Sequence, residues 1–445
     1  MDRKVKVSIA TLGCKSNQYD SAAIEDVLKD NKFSIVKSSE PADVCIINTC
    51  TVTGKTDYQS RQLIRKTIRA KPDAIVVVAG CYAQVSPQEV AQIEGVDYIV
   101  GNPGKDRMLQ YILDGKRANP KIDVIETAKD KPLALRAKGS SGRARANLKV
   151  QDGCDNSCSY CIIPRARGVS RSLPISAILQ EIEGLIANGY KEVILTGIHL
   201  GAYGLDLNPR GGRRDARPAN IASLVKAIDN RNYPCRFRIS SLDPDEISDE
   251  LIEIMAGSKA ICNHLHLPLQ SGDDNILQAM NRRYTGRLFI ERVDKIVSSI
   301  PEVSIGIDVI VGFPGEGEKE FLNTYNLLER LPIAYMHIFP FSNRKGTAAA
   351  GFSNQVDVRV VKERCERFRL LDKIKRKKFY ENFIGKKISV LVETSRDRET
   401  GFFTGRSKNY IPFLVEGSRE LRNLEISVMG SGIQEGRMRG YATDQ

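Results

Sequence analysis

From residue 4 to about 120, short apolar runs alternate with amphipathic stretches. The runs are Val5–Ala10, Val44–Ile47, Ala74–Ala79 and Tyr98–Val100, and helical periodicity near 20–30 and 55–70 separates them. That alternation predicts a doubly wound α/β domain. A second series of apolar runs predicts strands at about 146–150, 192–196, 236–240, 264–268, 304–310 and 335–339, with helix-length amphipathic stretches between most of them. Six strand-then-helix units without an antiparallel signal predict a partial (βα)₆ barrel. Residues 356–384 read as one long helix, with Val361, Cys365, Phe368 and Leu371 at helical spacing and a basic cluster from Lys373 to Lys378 near its end. After Gly385 the pattern changes to short alternating strands broken by Gly and Asn, which predicts a small antiparallel β-barrel resembling an OB-fold.

Residues 126–145 are rich in Lys, Arg, Gly and Ser and show little periodicity, so they read as a basic linker. The expected class is therefore α/β, divided into an N-terminal domain (1–125), this linker, a central barrel domain (146–375) and a C-terminal barrel (376–445). At 445 residues the chain exceeds what one hydrophobic core serves, in keeping with several domains. No apolar run is long enough to cross a membrane, and the start opens into strand-like alternation instead of a secretory segment, so a cytoplasmic location is expected. A net charge of +13 favours a polyanionic partner, nucleic acid before membrane.

Ten cysteines in such a chain point toward metal ligation or redox chemistry and away from a disulfide framework. Cys154, Cys158 and Cys161 form C-x₃-C-x₂-C directly after the first predicted barrel strand. Three thiolates on one tight loop can each hold one iron of a [4Fe–4S] cube, leaving the fourth iron open. A structural zinc site would want a fourth Cys or His, and none lies near this loop in sequence. The loop falls at the C-terminal mouth of the barrel, where active sites sit. Tyr160 in the loop and Thr196, Gly197, Ser240, Ser241, Gln270 and Asp308 at strand ends should face the same mouth and are candidate cofactor-binding residues. Taken singly, each also fits ordinary loop chemistry.

Cys14, Cys50 and Cys81 are far apart in sequence, yet each follows an apolar run and so falls at one crest of the N-terminal sheet. They fit two roles, ligands of a second cluster with one open iron or buried apolar filler. Cys45, Cys235, Cys262 and Cys365 sit within elements and read as filler.

The segments TLGCKSNQYDS, INTCTVTG, AGCYAQ, QDGCDNSCSYCIIPRARGVSRS, LTGIHLGAYG and LHLPLQSGDD stand in an order that resembles the radical S-adenosylmethionine methylthiotransferases along nearly the whole chain. The resemblance implies two [4Fe–4S] clusters, a catalytic one on Cys154, Cys158 and Cys161 and an auxiliary one on Cys14, Cys50 and Cys81. It further implies a C-terminal TRAM domain that binds substrate. The implied activity replaces C–H by C–S–CH₃ with two molecules of S-adenosylmethionine, one donating methyl and one cleaved to a 5′-deoxyadenosyl radical. A flavodoxin- or ferredoxin-type electron donor is the family expectation. The sulfur donor and the oligomeric state stay unspecified.

TLGCKSNQYDS and NTCTVT resemble the branch that acts on N6-threonylcarbamoyladenosine beside the tRNA anticodon. The other branches act on isopentenyladenosine in tRNA or on an aspartate of a ribosomal protein. A redox-sensing iron–sulfur protein that binds RNA without turnover is the non-enzymatic alternative. Arg406, Lys408 and Tyr410 are candidate RNA contacts, the cations for phosphates and Tyr410 or Phe403 for stacking on a base. The stretch Leu207–Arg217 is more basic and Gly-rich than a connection needs, and nothing in the sequence explains it.

Overall fold

In the computed structural model, residues 4–126, 133–139, 143–207, 219–417 and 419–443 are described. Apart from Leu207, the basic stretch singled out above lies outside them. Strands β1 (Lys6–Thr11), β2 (Ser34–Val36), β3 (Val44–Thr49), β4 (Ile75–Gly80), β5 (Tyr98–Val100) and β6 (Lys121–Asp123) form one sheet in the order β2-β1-β3-β4-β5-β6. All neighbouring pairs are parallel. All six residues of β3 are buried, as a central parallel strand covered on both faces requires. Helix α1 (Lys15–Asp30) follows β1 and packs Ile24 and Leu28 on one face of the sheet, while Ile64 and Tyr82 belong to the core on the other. Strand order reverses between β1 and β3, so the loops after these two strands border a switch point.

The central domain contains β7 (Arg145–Lys149), the two-residue strands β8 (Gln151–Asp152) and β9 (Arg171–Ser172), then β10 (Glu192–Thr196), β11 (Arg236–Ile239), β12 (His264–Gln270), β13 (Ser304–Val311) and β14 (Tyr335–Pro340). Two parallel three-stranded sheets, β11-β10-β7 and β12-β13-β14, meet through single bridges at Phe237/Ile261 and Ser241/His266. The result is the expected open (βα)₆ barrel. One antiparallel element was not anticipated: β8 pairs with β9 and closes the base of the loop between them.

The basic linker needs correction. In its described part, Leu133 and Ala137 are buried in the barrel-domain core. The amides of Lys138 and Gly139 donate to Asp26 at 2.6 and 3.1 Å, and Arg136 pairs with Glu181 at 3.0 Å. Leu133, Leu135 and Ala137 alternate with other residues, but three positions are too short a period to stand out among so many Lys and Arg.

The long helix, observed as Val358–Glu381, serves two cores. Cys365, Phe368 and Leu371 pack with the barrel domain, while Tyr380 and the following Phe383 pack with the C-terminal domain. That domain closes β15 (Lys387–Arg396), β16 (Phe403–Ser407), β17 (Pro412–Glu416), β18 (Glu425–Gln434) and β19 (Arg437–Ala442) in the order β15-β16-β17-β19-β18. This is the expected small closed barrel, antiparallel at every pair except β17–β19, which are parallel. A ring of five strands cannot alternate direction all the way round, so at least one pair must run parallel. Among the described residues, no helix is long and apolar enough to cross a membrane.

Five buried charges join the N-terminal domain to the barrel. Asp20 on α1 accepts from Lys105 at 2.7 Å and Lys149 at 2.5 Å, while Asp152 accepts from Lys149 at 2.9 Å and Arg167 at 3.0 Å. Burial would raise both carboxyls, but Lys105, Lys149 and Arg167 outweigh it for Asp20, and Arg167 and Lys149 for Asp152, so both are held below the usual carboxylate range. Asp20→Asn would leave three buried cations facing one carboxylate and is expected to destabilise by about 3–5 kcal/mol, read as the loss in urea denaturation followed by circular dichroism. Because the folded pKa values are depressed, this stabilisation is complete above the unfolded-state value of about 4 and disappears as pH falls below it. The variant should therefore lose less stability than the wild type between pH 7 and the acid range.

Candidate functional site

The central cysteine loop leaves β8 through Gly153, whose φ is +79°. A Cβ there would lie 1.9 Å from the carbonyl oxygen of Val169, so both the conformation and the space demand glycine. The Cys154 amide donates to Gly168 O at 3.0 Å and ties the loop to its returning arm. Gln151 fixes it from beneath: its amide nitrogen donates to Gly153 O at 2.7 Å, and its oxygen accepts from the amides of Ile198 and His199.

The three thiols of this loop each have polar company. The Asn156 amide points to Cys154 Sγ at 3.4 Å, and Arg282 Nη1 to Cys158 Sγ at 3.3 Å. Burial, with Cys158 and Cys154 adding to it, pushes the Cys161 thiol up to about 12. Burial opposes a charge on His199, but its contacts with Cys154 and Glu246 prevail and push it up to about 10. All six cysteines of the two triplets are free of disulfides. Thiols gathered this closely resist ionising together unless a cation joins them, which is the donor chemistry of a metal cluster.

The second triplet assembles at the crest of the N-terminal sheet. Cys14 caps the start of α1, Cys50 follows β3, and Cys81 opens a short helix after β4. Gly13 turns with φ +102°, and a Cβ on it would fall 2.7 Å from Cys50 Sγ. Burial, with Cys81 and Cys14 adding to it, pushes the Cys50 thiol up to about 11. Asn102 links the two cysteine sites: its Nδ2 donates to Ala166 O at 2.6 Å, in the helix after Cys161, and points to Cys81 Sγ at 3.5 Å. Its Oδ1 is buried without a partner among the described residues. Cys45, Cys235, Cys262 and Cys365 are buried filler, as the sequence suggested.

The strand-end candidates divide. Thr196 ends β10 and Gly197 abuts Gln151, close to the central loop. Tyr160 lies beside Arg282, which also approaches Cys158. Ser240 has a buried hydroxyl without a partner among the described residues, whereas Ser241 is exposed. Gln270 ends β12 with φ +66° at a bulge. Asp308 accepts from His266 at 2.9 Å and His337 at 3.1 Å; burial would raise it, but these two rings hold it below the usual range. Sequence reasoning missed Gln151, Asn102, His199, Glu246 and Arg282, whose roles come from contacts between distant segments.

A cavity of about 760 Å³ opens where all three domains meet. Lys15 and Gln18 come from the N-terminal domain, Arg238, Tyr335 and His337 from the barrel, and Glu393, Arg406 and Tyr410 from the C-terminal domain. Burial first, and Arg238 next, lower the Lys15 ammonium to about 7. The three proposed RNA contacts do not share a face. Arg406 and Tyr410 line this cavity, while Lys408 donates to Lys259 O at 2.6 Å beside a different cleft. Tyr410 is held between the Arg238 guanidinium, 4.0 Å from its ring centre, and His264 at 4.9 Å, with its hydroxyl on Glu192. Phe403 is fully buried in the C-terminal core and cannot stack on a base.

Residues 148–328 match the radical SAM superfamily, and residues 6–101 match the family described as uncharacterized protein family UPF0004. The chain is 37% identical to the threonylcarbamoyladenosine tRNA methylthiotransferase MtaB of Bacillus subtilis, over 96% of this chain and 94% of that protein. It is 38% identical to the Aquifex aeolicus protein of the same name, over 94% and 99%. It is 33% identical to the tRNA-2-methylthio-N(6)-dimethylallyladenosine synthase of Fusobacterium nucleatum, over 95% and 96%. Among solved structures, the radical S-adenosylmethionine methyltransferase TsrM from Kitasatospora setae, with cobalamin and a [4Fe–4S] cluster bound, shares the fold at a TM-score of 0.54 and 14% identity, covering 76% of this chain and 75% of that one. Radical SAM membership implies a [4Fe–4S] cluster and S-adenosylmethionine, and near-full-length identity to the methylthiotransferases places this chain in the radical SAM methylthiotransferase family.

Proposed function

We propose that this enzyme inserts a methylthio group at carbon 2 of N6-threonylcarbamoyladenosine next to the tRNA anticodon. The observation that carries the reading is the pairing of two three-cysteine sites across one interface, with Asn102 reaching from Cys81 to the helix that follows Cys161. Cys154, Cys158 and Cys161 would hold the catalytic [4Fe–4S] cluster, and Cys14, Cys50 and Cys81 an auxiliary one. When bound, the first supplies the electron that cleaves S-adenosylmethionine, and the second offers an open iron for sulfur. Two molecules of S-adenosylmethionine per turnover, one for the radical and one for the methyl group, are part of this proposal, as the resemblance to the family implies.

The chain's own residues prepare that chemistry. Gly153 and Gln151 shape the central loop, and Arg282 places a positive charge beside Cys158, where thiolates would gather negative charge. Thr196, Ser240 and Gln270 are proposed to contact S-adenosylmethionine from the strand ends and Asp308 from within β13, and the division at about 125, 146 and 375 is proposed to separate auxiliary, radical and TRAM functions. The substrate assignment is supported by the names of the Bacillus and Aquifex relatives. The Fusobacterium relative favours a second reading, methylthiolation of isopentenyladenosine in tRNA.

The deciding experiment is anaerobic reconstitution followed by incubation with reductant, S-adenosylmethionine and tRNA carrying threonylcarbamoyladenosine, with nucleosides read by mass spectrometry. The 2-methylthio nucleoside is expected; an unchanged nucleoside alongside 5′-deoxyadenosine would refute the substrate. Cys158→Ala is expected to abolish 5′-deoxyadenosine and Cys50→Ala to spare part of it while stopping sulfur insertion, each reducing bound iron from about eight to about four per chain. Identical behaviour of two folded variants would refute the two-cluster assignment. Gly153→Ala should retain its circular dichroism spectrum yet lose iron from the central site, because Val169 must move to admit the methyl group.

A further inference from the structure

The cavity at the junction of the three domains carries more positive charge than its walls neutralise. Six Lys or Arg side chains line it, and Glu393 is the sole lining carboxylate among the described residues. Glu393 is taken by Arg145, and Arg376 pairs with Asp372 at 2.8 Å. Four cations remain without a carboxylate within salt-bridge distance among the described residues: the exposed Arg143 and a set of three, one from each domain, Lys15, Arg238 and Arg406.

Arg238 is the most telling of the three. It is 6% exposed, and its guanidinium contacts His264 and the face of Tyr410, neither of which carries a negative charge to offset it. A buried cation held by neutral groups costs stability unless an anion is present in the working state. Among the described residues, the Arg406 guanidinium donates only to the carbonyl of Tyr410, at 3.4 Å, and the Lys15 ammonium makes no hydrogen bond or ion pair. Lys15 directly follows Cys14, so this surplus charge lies beside the N-terminal cysteine site.

We propose that Lys15, Arg238 and Arg406 form an anion site that receives the free carboxylate of an amino acid joined to adenine N6. This deepens the substrate reading above and rests on it. Threonine attached to the base through its amino nitrogen keeps its carboxylate, whereas an isopentenyl group offers only hydrocarbon. A planar guanidinium matches a carboxylate through paired hydrogen bonds, and an ammonium adds a point charge. The same three side chains would thus admit the amino-acid-modified base and reject the apolar one, because an apolar group would leave the buried cations without a counter-charge. A backbone phosphate of the RNA presents anionic oxygens of the same kind, and the test separates the two sources.

Anticodon stem-loop RNAs carrying threonylcarbamoyladenosine, its carboxamide analogue or isopentenyladenosine at one position are titrated anaerobically against the cluster-loaded full chain by fluorescence anisotropy. The wild type is expected to bind the carboxylate RNA roughly tenfold or more tightly than the carboxamide, the scale of a charge-assisted contact. Arg238→Gln and Arg406→Gln should bring that ratio near one, and Arg238→Lys should restore part of it. Lys15→Gln is checked against Lys15→Arg with bound iron measured, which separates loss of the anion contact from damage to the neighbouring cysteine site. Equal binding of carboxylate and carboxamide RNAs by the wild type would overturn the anion site while leaving the substrate reading intact. A uniform loss across all three RNAs in Arg238→Gln would overturn the carboxylate assignment and make the cations a phosphate clamp. Methylthiolation of isopentenyladenosine alone would defeat the substrate reading, and the binding ratio would still decide the anion site.

Discussion

A charge withdrawn from water must be met by an opposite charge, and that requirement joins the N-terminal sheet to the barrel here. Asp20 belongs to the helix that starts just after Cys14, while Asp152 stands two residues before Cys154 and Arg167 six residues after Cys161. The same few side chains that settle the electrostatics of the interface therefore set the separation of the two cysteine sites. Neither carboxylate could be relocated without leaving a buried ammonium or guanidinium unmatched, so the geometry tolerates little drift. Arg167 adds a contact to Asn17, which itself donates to Leu12 O and Thr49 O, extending the join to the loop after β1 and the end of β3.

Much of the architecture was legible because it was written locally. Parallel strands buried on both faces appear as continuous apolar runs, which is why Val44–Ile47 and Ala74–Ala79 identified β3 and β4 directly. The spacing of Cys154, Cys158 and Cys161 needed no tertiary information, and the crest position of Cys14, Cys50 and Cys81 followed from one rule about where parallel strands end. Short or weakly patterned elements were lost. Strand β2 has three residues and β6 reads Lys-Ile-Asp, and both depend on a neighbouring strand instead of on their own composition.

The parts of the site that stayed hidden are those built from remote segments. Tyr410 looked like a ring offered to solvent because it sits among Arg, Lys and Asn; its actual neighbours, Glu192, Arg238 and His264, lie well over a hundred residues away. Likewise the cavity assembles Lys15, Arg145, Arg238 and Arg406 from four separate stretches, and no window of sequence contains the charge imbalance they create. A basic residue in isolation carries no sign of whether it has a partner.

The helix Val358–Glu381 acts as a rigid spar. Its middle is embedded in the barrel domain and its end in the C-terminal barrel, so the two share one continuous piece of backbone where a flexible tether would otherwise stand. Anything gripped by the C-terminal barrel consequently has a fixed reach and a fixed angle to the lumen. The small barrel acts as a calibrated arm, and changing the helix by a single residue would rotate that arm by roughly 100° about its axis.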